Sequence, residues 1–173
     1  GIFELKTFEE FSSSVNLIFT LDHSGRNGNG FFQTIFDENS QVLSLPWLHY
    51  VYSYFIHQFG DKEILTREDA LSFINSNQYL QLFFRLKLTA TNVDLLKKMG
   101  ACQNIRFNRA LAKKSLNALI VDQISRKCLF LSIYYSIAVG LGRDTSSIKY
   151  FIMTDSISLR SENVLSGYKG LIL

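Results

Sequence analysis

The segment "LDHSGRNGNGFFQTIFDEN", Leu21–Asn39, concentrates side chains that could hold a ligand. Asp22, Asn27 and Asn29 offer carboxylate and amide oxygens, which are the ligands that calcium prefers. His23 precedes a glycine-rich stretch, which could combine a base with a phosphate cradle. Glycine and asparagine also tolerate positive φ in tight turns. We expect a structural loop, with a weak cation site and a phosphate site as alternatives.

Histidines and cysteines elsewhere in the chain offer little further chemistry. His49 and His57 are eight residues apart, which places them two helical turns from each other and too far apart for one small metal site. Cys102 and Cys128 are the only thiols, so neither a disulfide framework nor a four-cysteine zinc site is expected. Cys128 follows two basic residues, but its apolar neighbours favour a buried, inert thiol. This cysteine usage favours an intracellular, reducing compartment, either the cytoplasm or an organelle.

The distribution of charge is uneven along the chain. Residues 1–80 contain ten acids and four bases, whereas residues 81–173 contain fourteen bases and five acids. Eight bases face one acid, Asp122, between residues 97 and 127: Lys97, Lys98, Arg106, Arg109, Lys113, Lys114, Arg126 and Lys127. A solvated helix face explains such a series, and a basic surface for an acidic protein, an anionic membrane or nucleic acid is the alternative.

The spacing of apolar and capping residues predicts a mostly helical chain. Helices are expected over Thr7–Leu21 and Pro46–Phe59, and again after a capping box formed by Thr66 and Asp69. A further helix is expected from Asn108 to Ser125. The run from Cys128 to Leu141 has 14 residues, whereas a membrane-spanning helix needs about 20, so this run predicts a buried core helix and no transmembrane segment.

Four segments repeat one outline, in which a polar turn leads through an apolar residue into a helix. They are "NGFFQT", "EILTRED", "NIRFNRA" and "SISLRSE", centred on Phe32, Ile64, Ile105 and Ile157. This pattern resembles the EF-hand, calmodulin-like superfamily. The resemblance implies an all-α fold with two EF-hand-like helical lobes, at residues 1–86 (acidic) and 87–173 (basic), in which short β bridges join paired loops.

The residues in calcium-ligand places depart from the EF-hand pattern. In the first loop Gly25 replaces the opening aspartate and Phe36 the closing glutamate. The second loop keeps Asp61 and Glu68 but places Lys62 at the conserved glycine of the family. A calcium shell needs six to eight oxygens, so tight binding is not expected. The remaining weak metal candidates are Asp22, Asn27, Asn29, Asp61 and Glu68.

The degenerate loops favour a non-enzymatic adaptor, regulatory subunit or scaffold that binds a protein, such as an amphipathic helix or an acidic surface, without calcium. No cofactor is expected. Candidate partner-binding residues are Phe83, Phe84, Lys113, Lys114, Tyr134 and Tyr135. The alternative function is an enzyme, because "HSGRNGNG" is similar to the motif of Fic-family adenylyl-transferases, in which His23 would be the catalytic base; Phe31, however, stands where that motif has a phosphate-binding arginine.

Overall fold

A computed structural model describes residues 2–21, 39–44, 48–84, 107–155 and 170–172. The helices in these ranges are α1 (Ile2–Ser14), α2 (Leu48–Phe59), α3 (Arg67–Ser76), α4 (Gln78–Phe84), α5 (Arg109–Leu119) and α6 (Arg126–Gly140). The strands are β1 (Asn16–Leu21), β2 (Val42–Ser44), β3 (Ile64–Leu65), β4 (Ile124–Ser125), β5 (Tyr150–Asp155) and β6 (Gly170–Ile172). Helices account for most of the described residues, which confirms the predicted helical majority.

Four of the strands form a parallel sheet that the helical patterns do not predict. The strand order is β2-β5-β1-β6, and each neighbouring pair is parallel. The longest pairing joins β1 to β5, from Asn16 opposite Tyr150 to Leu21 opposite Asp155. The first and last parts of the chain therefore meet in one sheet, and the helices α2 to α6 lie between β2 and β5 in the sequence.

The predicted helix over Thr7–Leu21 is wrong beyond Ser14, where α1 ends and β1 soon begins. The Ser12 and Ser13 hydroxyls donate to the carbonyls three residues earlier, at 3.0 and 2.9 Å, and such local bonds compete with a continuing helix. The backbone of Asn16–Leu21 instead pairs with strands on both sides. Helical spacing in this segment is overridden by partners more than 100 residues away.

Helix α6 is the centre of the hydrophobic core. Nearly every side chain along it is buried, as expected for a helix that is apolar on all sides. The Ser125 hydroxyl caps its start by accepting the Cys128 N–H at 3.1 Å. This arrangement confirms the buried core helix predicted from Cys128 to Leu141.

Aromatic rings connect α6 to its neighbours. Phe130 stacks on Tyr52 of α2 with ring centroids 3.9 Å apart, and Tyr134 stacks on Phe151 of β5 at 4.3 Å. Tyr135 meets the edge of Phe11 of α1 at 5.1 Å. One helix thus fixes α1, α2 and the parallel sheet in place.

Side chains from both halves of the chain belong to a single hydrophobic core. Phe55 and Phe73, from the N-terminal half, lie 5.3 and 6.4 Å from Phe130. The predicted lobe boundary at residues 86–87 lies outside the described residues. Among the helices that the structure describes, every one is too short or too polar to cross a membrane.

Candidate functional site

The first part of the candidate site is a helix–strand–helix unit made of α2, β3 and α3. Gly60 ends α2 with φ of +57°, which glycine adopts without steric strain. The Thr66 hydroxyl then accepts the Asp69 N–H at 3.1 Å, and the Asp69 carboxylate accepts the Thr66 N–H at 3.4 Å. This reciprocal pair confirms the predicted capping box at the start of α3.

The second unit consists of α5, β4 and α6. The Asn108 side chain accepts the Leu111 N–H at 3.0 Å and caps α5. The predicted helix from Asn108 to Ser125 is wrong at its end, because α5 stops at Leu119 and Gln123 has φ of 60°. The backbone is already extended at Ile120, and the left-handed Gln123 then turns the chain into β4.

An antiparallel bridge between β3 and β4 joins the two units. Ile64 lies opposite Ser125, and Leu65 lies opposite Ile124. Ile64 therefore occupies a bridge strand, as predicted. Its partner strand is β4, which contains none of the other three apolar residues on which the sequence repeats are centred. Those centres, at residues 32, 105 and 157, lie outside the described residues.

Three basic side chains stabilise the bridged loops, two of them by contacts between the units and Lys62 within the first unit. The Arg126 guanidinium lies 2.5 Å from the Glu63 carboxylate, and Arg67 donates to the Ile120 carbonyl from the opposite unit. Lys62 lies 2.7 Å from the Asp69 carboxylate, and its hydrogen bond holds the pKa of that carboxyl below its usual value. The loops are thus cross-linked by the chain's own cations.

The predicted metal ligands do not gather into a site within the described residues. Asp61 and Glu68 are both exposed, and no group of three or more histidine, cysteine, aspartate or glutamate side chains forms there. Asp22, Asn27 and Asn29 lie outside the described residues, as does His23. The expectation that these positions bind calcium weakly at most stays a prediction.

The structure places the predicted aromatic anchors in the core. Phe83, Phe84, Tyr134 and Tyr135 are all buried, because α4 and α6 turn these rings towards other helices and the sheet. As buried side chains they offer no surface to a partner, which corrects their assignment as partner-binding residues.

Lys113 and Lys114 of the predicted partner-binding set are exposed, on α5. The helix is amphipathic, with Ala112, Ser115, Leu116 and Leu119 buried. Its outer side carries Leu111, which is 40% exposed, with Lys114 one turn further along, whereas Lys113 lies on the other flank of the exposed side because residues two apart on a helix do not face each other. No acid occurs between residues 107 and 121. We call Leu111, Lys113, Lys114 and Ala118 the α5 face.

The predicted basic surface is smaller than the sequence indicates. Arg126 is wrongly assigned to it, because its side chain is only 4% exposed and pairs with Glu63. Arg109 is half-buried, and Lys127 is exposed. Lys97, Lys98 and Arg106 lie outside the described residues. Sequence spacing had no signal for the role of Arg126, because its partner is 63 residues away.

The remaining chemical candidates offer no activated group among the described side chains. Burial raises the pKa of the Cys128 thiol, so the reactive thiolate is disfavoured. His57 is exposed on α2. Cys128 therefore fits the predicted inert role.

The parallel sheet brings two polar sequences to one edge. β1 ends at Leu21, which lies opposite Asp155 at the end of β5, and the glycine-rich segment starts with Asp22, the next residue of the chain. Ligands of open parallel sheets bind beyond the carboxyl ends of the strands.

Together these features define an architecture of two bridged helix–strand–helix units packed against a parallel sheet. A comparison of the chain with protein-family models, with curated proteins and with solved structures finds no match. The function is therefore argued from the residues themselves.

Proposed function

We propose that this protein is a calcium-independent adaptor or regulatory subunit that binds an acidic protein segment on its α5 face. The observation that carries the proposal is that exposed Leu111 neighbours Lys114, three residues further on, and that exposed Lys113 adds a second positive charge on a helix without acids. An apolar contact beside two positive charges favours a partner that combines acidic and apolar side chains.

The fixed position of α5 supports a binding role. Leu116 and Leu119 anchor its inner side in the core, and the Ser136 hydroxyl of α6 donates to the Ser115 hydroxyl at 3.3 Å. A helix held in this way loses little freedom on binding, so less binding energy is spent on ordering it.

Independence from calcium is supported by the cross-links of the bridged loops. Arg126 of the second unit pairs with Glu63 of the first, and Arg67 of the first unit donates to the Ile120 carbonyl of the second. The units therefore need no metal ion to stay paired.

The test is calorimetric titration with a helical 18-residue peptide of glutamate and leucine, and with its glutamine counterpart. We expect the acidic peptide to bind and the glutamine peptide to bind at least tenfold more weakly. Lys113→Glu combined with Lys114→Glu should abolish binding. Lys149→Glu changes an exposed lysine distant in sequence and is the matched control, which should bind normally. Calcium and a chelator should give the same affinity.

Other polyanions provide the contrary outcomes. The protein could bind single-stranded RNA or phosphatidylserine vesicles more tightly than the acidic peptide, with a steep salt dependence. That result would indicate that the partner is nucleic acid or a membrane and not a protein. An affinity for the acidic peptide that the double charge reversal leaves unchanged would remove the α5 face from the proposal.

A second candidate function is binding of a divalent cation at the carboxyl edge of the parallel sheet. It is favoured by the register of β1 and β5, which sets Asp155 opposite Leu21, the residue before Asp22. Aspartate oxygens suit Mg²⁺, and the carboxyl ends of parallel strands are where ligands of such sheets bind. A weak cation site was one of the alternatives for the glycine-rich segment. In this candidate the site lies at the edge of the parallel sheet and does not have the geometry of an EF-hand loop.

The two cation hypotheses differ in the variants that would remove binding. Titration of metal-stripped protein with Mg²⁺ and then Ca²⁺ should give saturable heat that Asp155→Asn abolishes, if the sheet edge is the site. Asp61→Asn should abolish it, if an EF-hand-like loop is the site. Asp144→Asn, in the loop at the opposite end of β5, is the control. Absence of heat with both ions would exclude this second function.

A further inference from the structure

We infer that the partner of the α5 face is the loop face of a second copy of this chain. The loop face consists of the exposed residues Asp61, Ile64, Glu68, Val121 and Asp122 around the β3–β4 bridge. The inference rests on the proposed function, because it takes α5 as a binding surface and names what binds there.

The loop face has the chemistry that the α5 face requires. Asp61, Glu68 and Asp122 are exposed acids, and none of them takes part in the ion pairs that the structure describes. Ile64, 46% exposed, and Val121, 50% exposed, provide apolar contact among them. Exposed large apolar side chains beside unpaired charge are typical of interaction surfaces.

The basic residues near the loop face are already occupied. Lys62 pairs with Asp69, Arg126 pairs with Glu63, and Arg67 donates to the Ile120 carbonyl. Lys62 and Arg126 therefore neutralise two other acids of the loops, and Arg67 donates to a backbone carbonyl, so none of these three described contacts neutralises Asp61, Glu68 or Asp122.

The two faces match in charge and in pattern. Each has exposed apolar side chains flanked by charges of one sign, positive around Leu111 and negative around Ile64. Contact between them would bury apolar area and pair lysines with carboxylates, and such complementarity also steers the two molecules together.

The positions of the faces favour contact between molecules. Lys113 and Lys114 precede Ile120, where the loop begins, by six to seven residues, which corresponds to about 10 Å along the helix axis. The two faces are therefore separate surfaces, one at the middle of α5 and the other beyond its C-terminal end. Two different surfaces that bind each other make a head-to-tail contact, which produces either a closed ring or an open chain of copies.

The test is sedimentation velocity of the whole chain over a range of concentrations at low and high salt. We expect concentration-dependent oligomers in 50 mM salt and at least tenfold weaker association in 500 mM salt. Variant A, Lys113→Glu with Lys114→Glu, should be monomeric. Variant B, Asp61→Lys with Glu68→Lys, should also be monomeric. The control Lys149→Glu should associate like the original protein.

A mixture of variants A and B gives the decisive result. Both faces of A are acidic and both faces of B are basic, so contacts between like variants repel and both contacts between A and B attract. An equimolar mixture should therefore form oligomers in which A and B alternate, whereas each variant alone stays monomeric. Circular dichroism of each variant establishes that it is folded, and the milder pair Lys113→Gln with Lys114→Gln replaces A if A unfolds.

Two results would overturn the inference and separate it from the proposed function. If the protein stays monomeric at high concentration while its α5 face binds the acidic peptide, the inferred self-association is wrong and the proposed adaptor function stands. If the protein neither associates nor binds the peptide, both fail. Oligomers that neither A nor B disrupts would place the self-contact on another surface.

Discussion

The ion pair between Glu63 and Arg126 should stabilise the bridge between the two units, and Glu63→Ala is the perturbation that measures it. Arg126 is 4% exposed and Glu63 is 63% exposed. Breaking a fully buried pair costs about 3–5 kcal/mol, whereas an exposed pair contributes about 0–1 kcal/mol. In this pair Arg126 is buried and Glu63 is exposed, so we expect Glu63→Ala to lower the free energy of unfolding by an intermediate amount, about 1–2 kcal/mol.

Arg126→Met provides the reference background, because methionine fills much of the arginine volume without a charge. Replacing a buried charge by an apolar residue is often neutral, so Arg126→Met alone should change stability by less than about 1 kcal/mol. In the Arg126→Met background, Glu63→Ala should lower the free energy of unfolding by less than about 0.5 kcal/mol, because the guanidinium that pairs with Glu63 is absent.

The assay is urea unfolding followed by circular dichroism at pH 7, with equal denaturant slopes required for comparison. Glu68→Ala, which removes an exposed acid outside the described ion pairs, is the control and should stay within about 0.5 kcal/mol of the original protein. If Glu63→Ala costs the same with and without Arg126, the two side chains are not coupled and the reasoning fails.

Three further changes test the local structure. Thr66→Ala removes the cap of α3 and should lower the unfolding free energy by about 1 kcal/mol in urea; an unchanged value would mean that the capping box does not stabilise α3. Gly140→Ala would place a methyl group 2.5 Å from the ring of Phe107, so it should destabilise by about 1–3 kcal/mol although alanine favours helices; a higher melting temperature would contradict this. The pKa of Asp69 is lowered by its bond from Lys62, so its contribution is complete above the unfolded pKa of about 3.9 and is lost as pH falls through the folded pKa. The stability difference between the original protein and Asp69→Asn should therefore shrink below pH 4, and a difference that stays constant from pH 6 to pH 3 would count against that bond.

Local signals in the sequence predicted the helices well where neighbours in the chain supply the stabilising contacts. The capping box at Thr66 and the buried helix after Cys128 both depend on residues within a few positions. The exposure of Lys113 and Lys114 also follows from the amphipathic pattern of α5.

The candidate site was less predictable, because it depends on contacts between distant segments. The buried positions of Phe83 and Tyr134 follow from the packing of α4 and α6. Residue type alone does not distinguish an aromatic side chain of the core from one on a binding surface. Arg126 illustrates the same limit, since only the bridge brings it to Glu63.

The sequence by itself determined the helical character of the chain, the cap of α3 and the uneven charge, because these properties arise from residue type and spacing over one or two turns. Tertiary structure alone decided that Asn16–Leu21 is a strand, since its partners in β5 and β6 are more than 100 residues away. It also decided that Ile64 pairs with Ser125. Backbone hydrogen bonds across a sheet can join any two extended segments, so the choice of partner depends on how the whole chain buries its apolar surface.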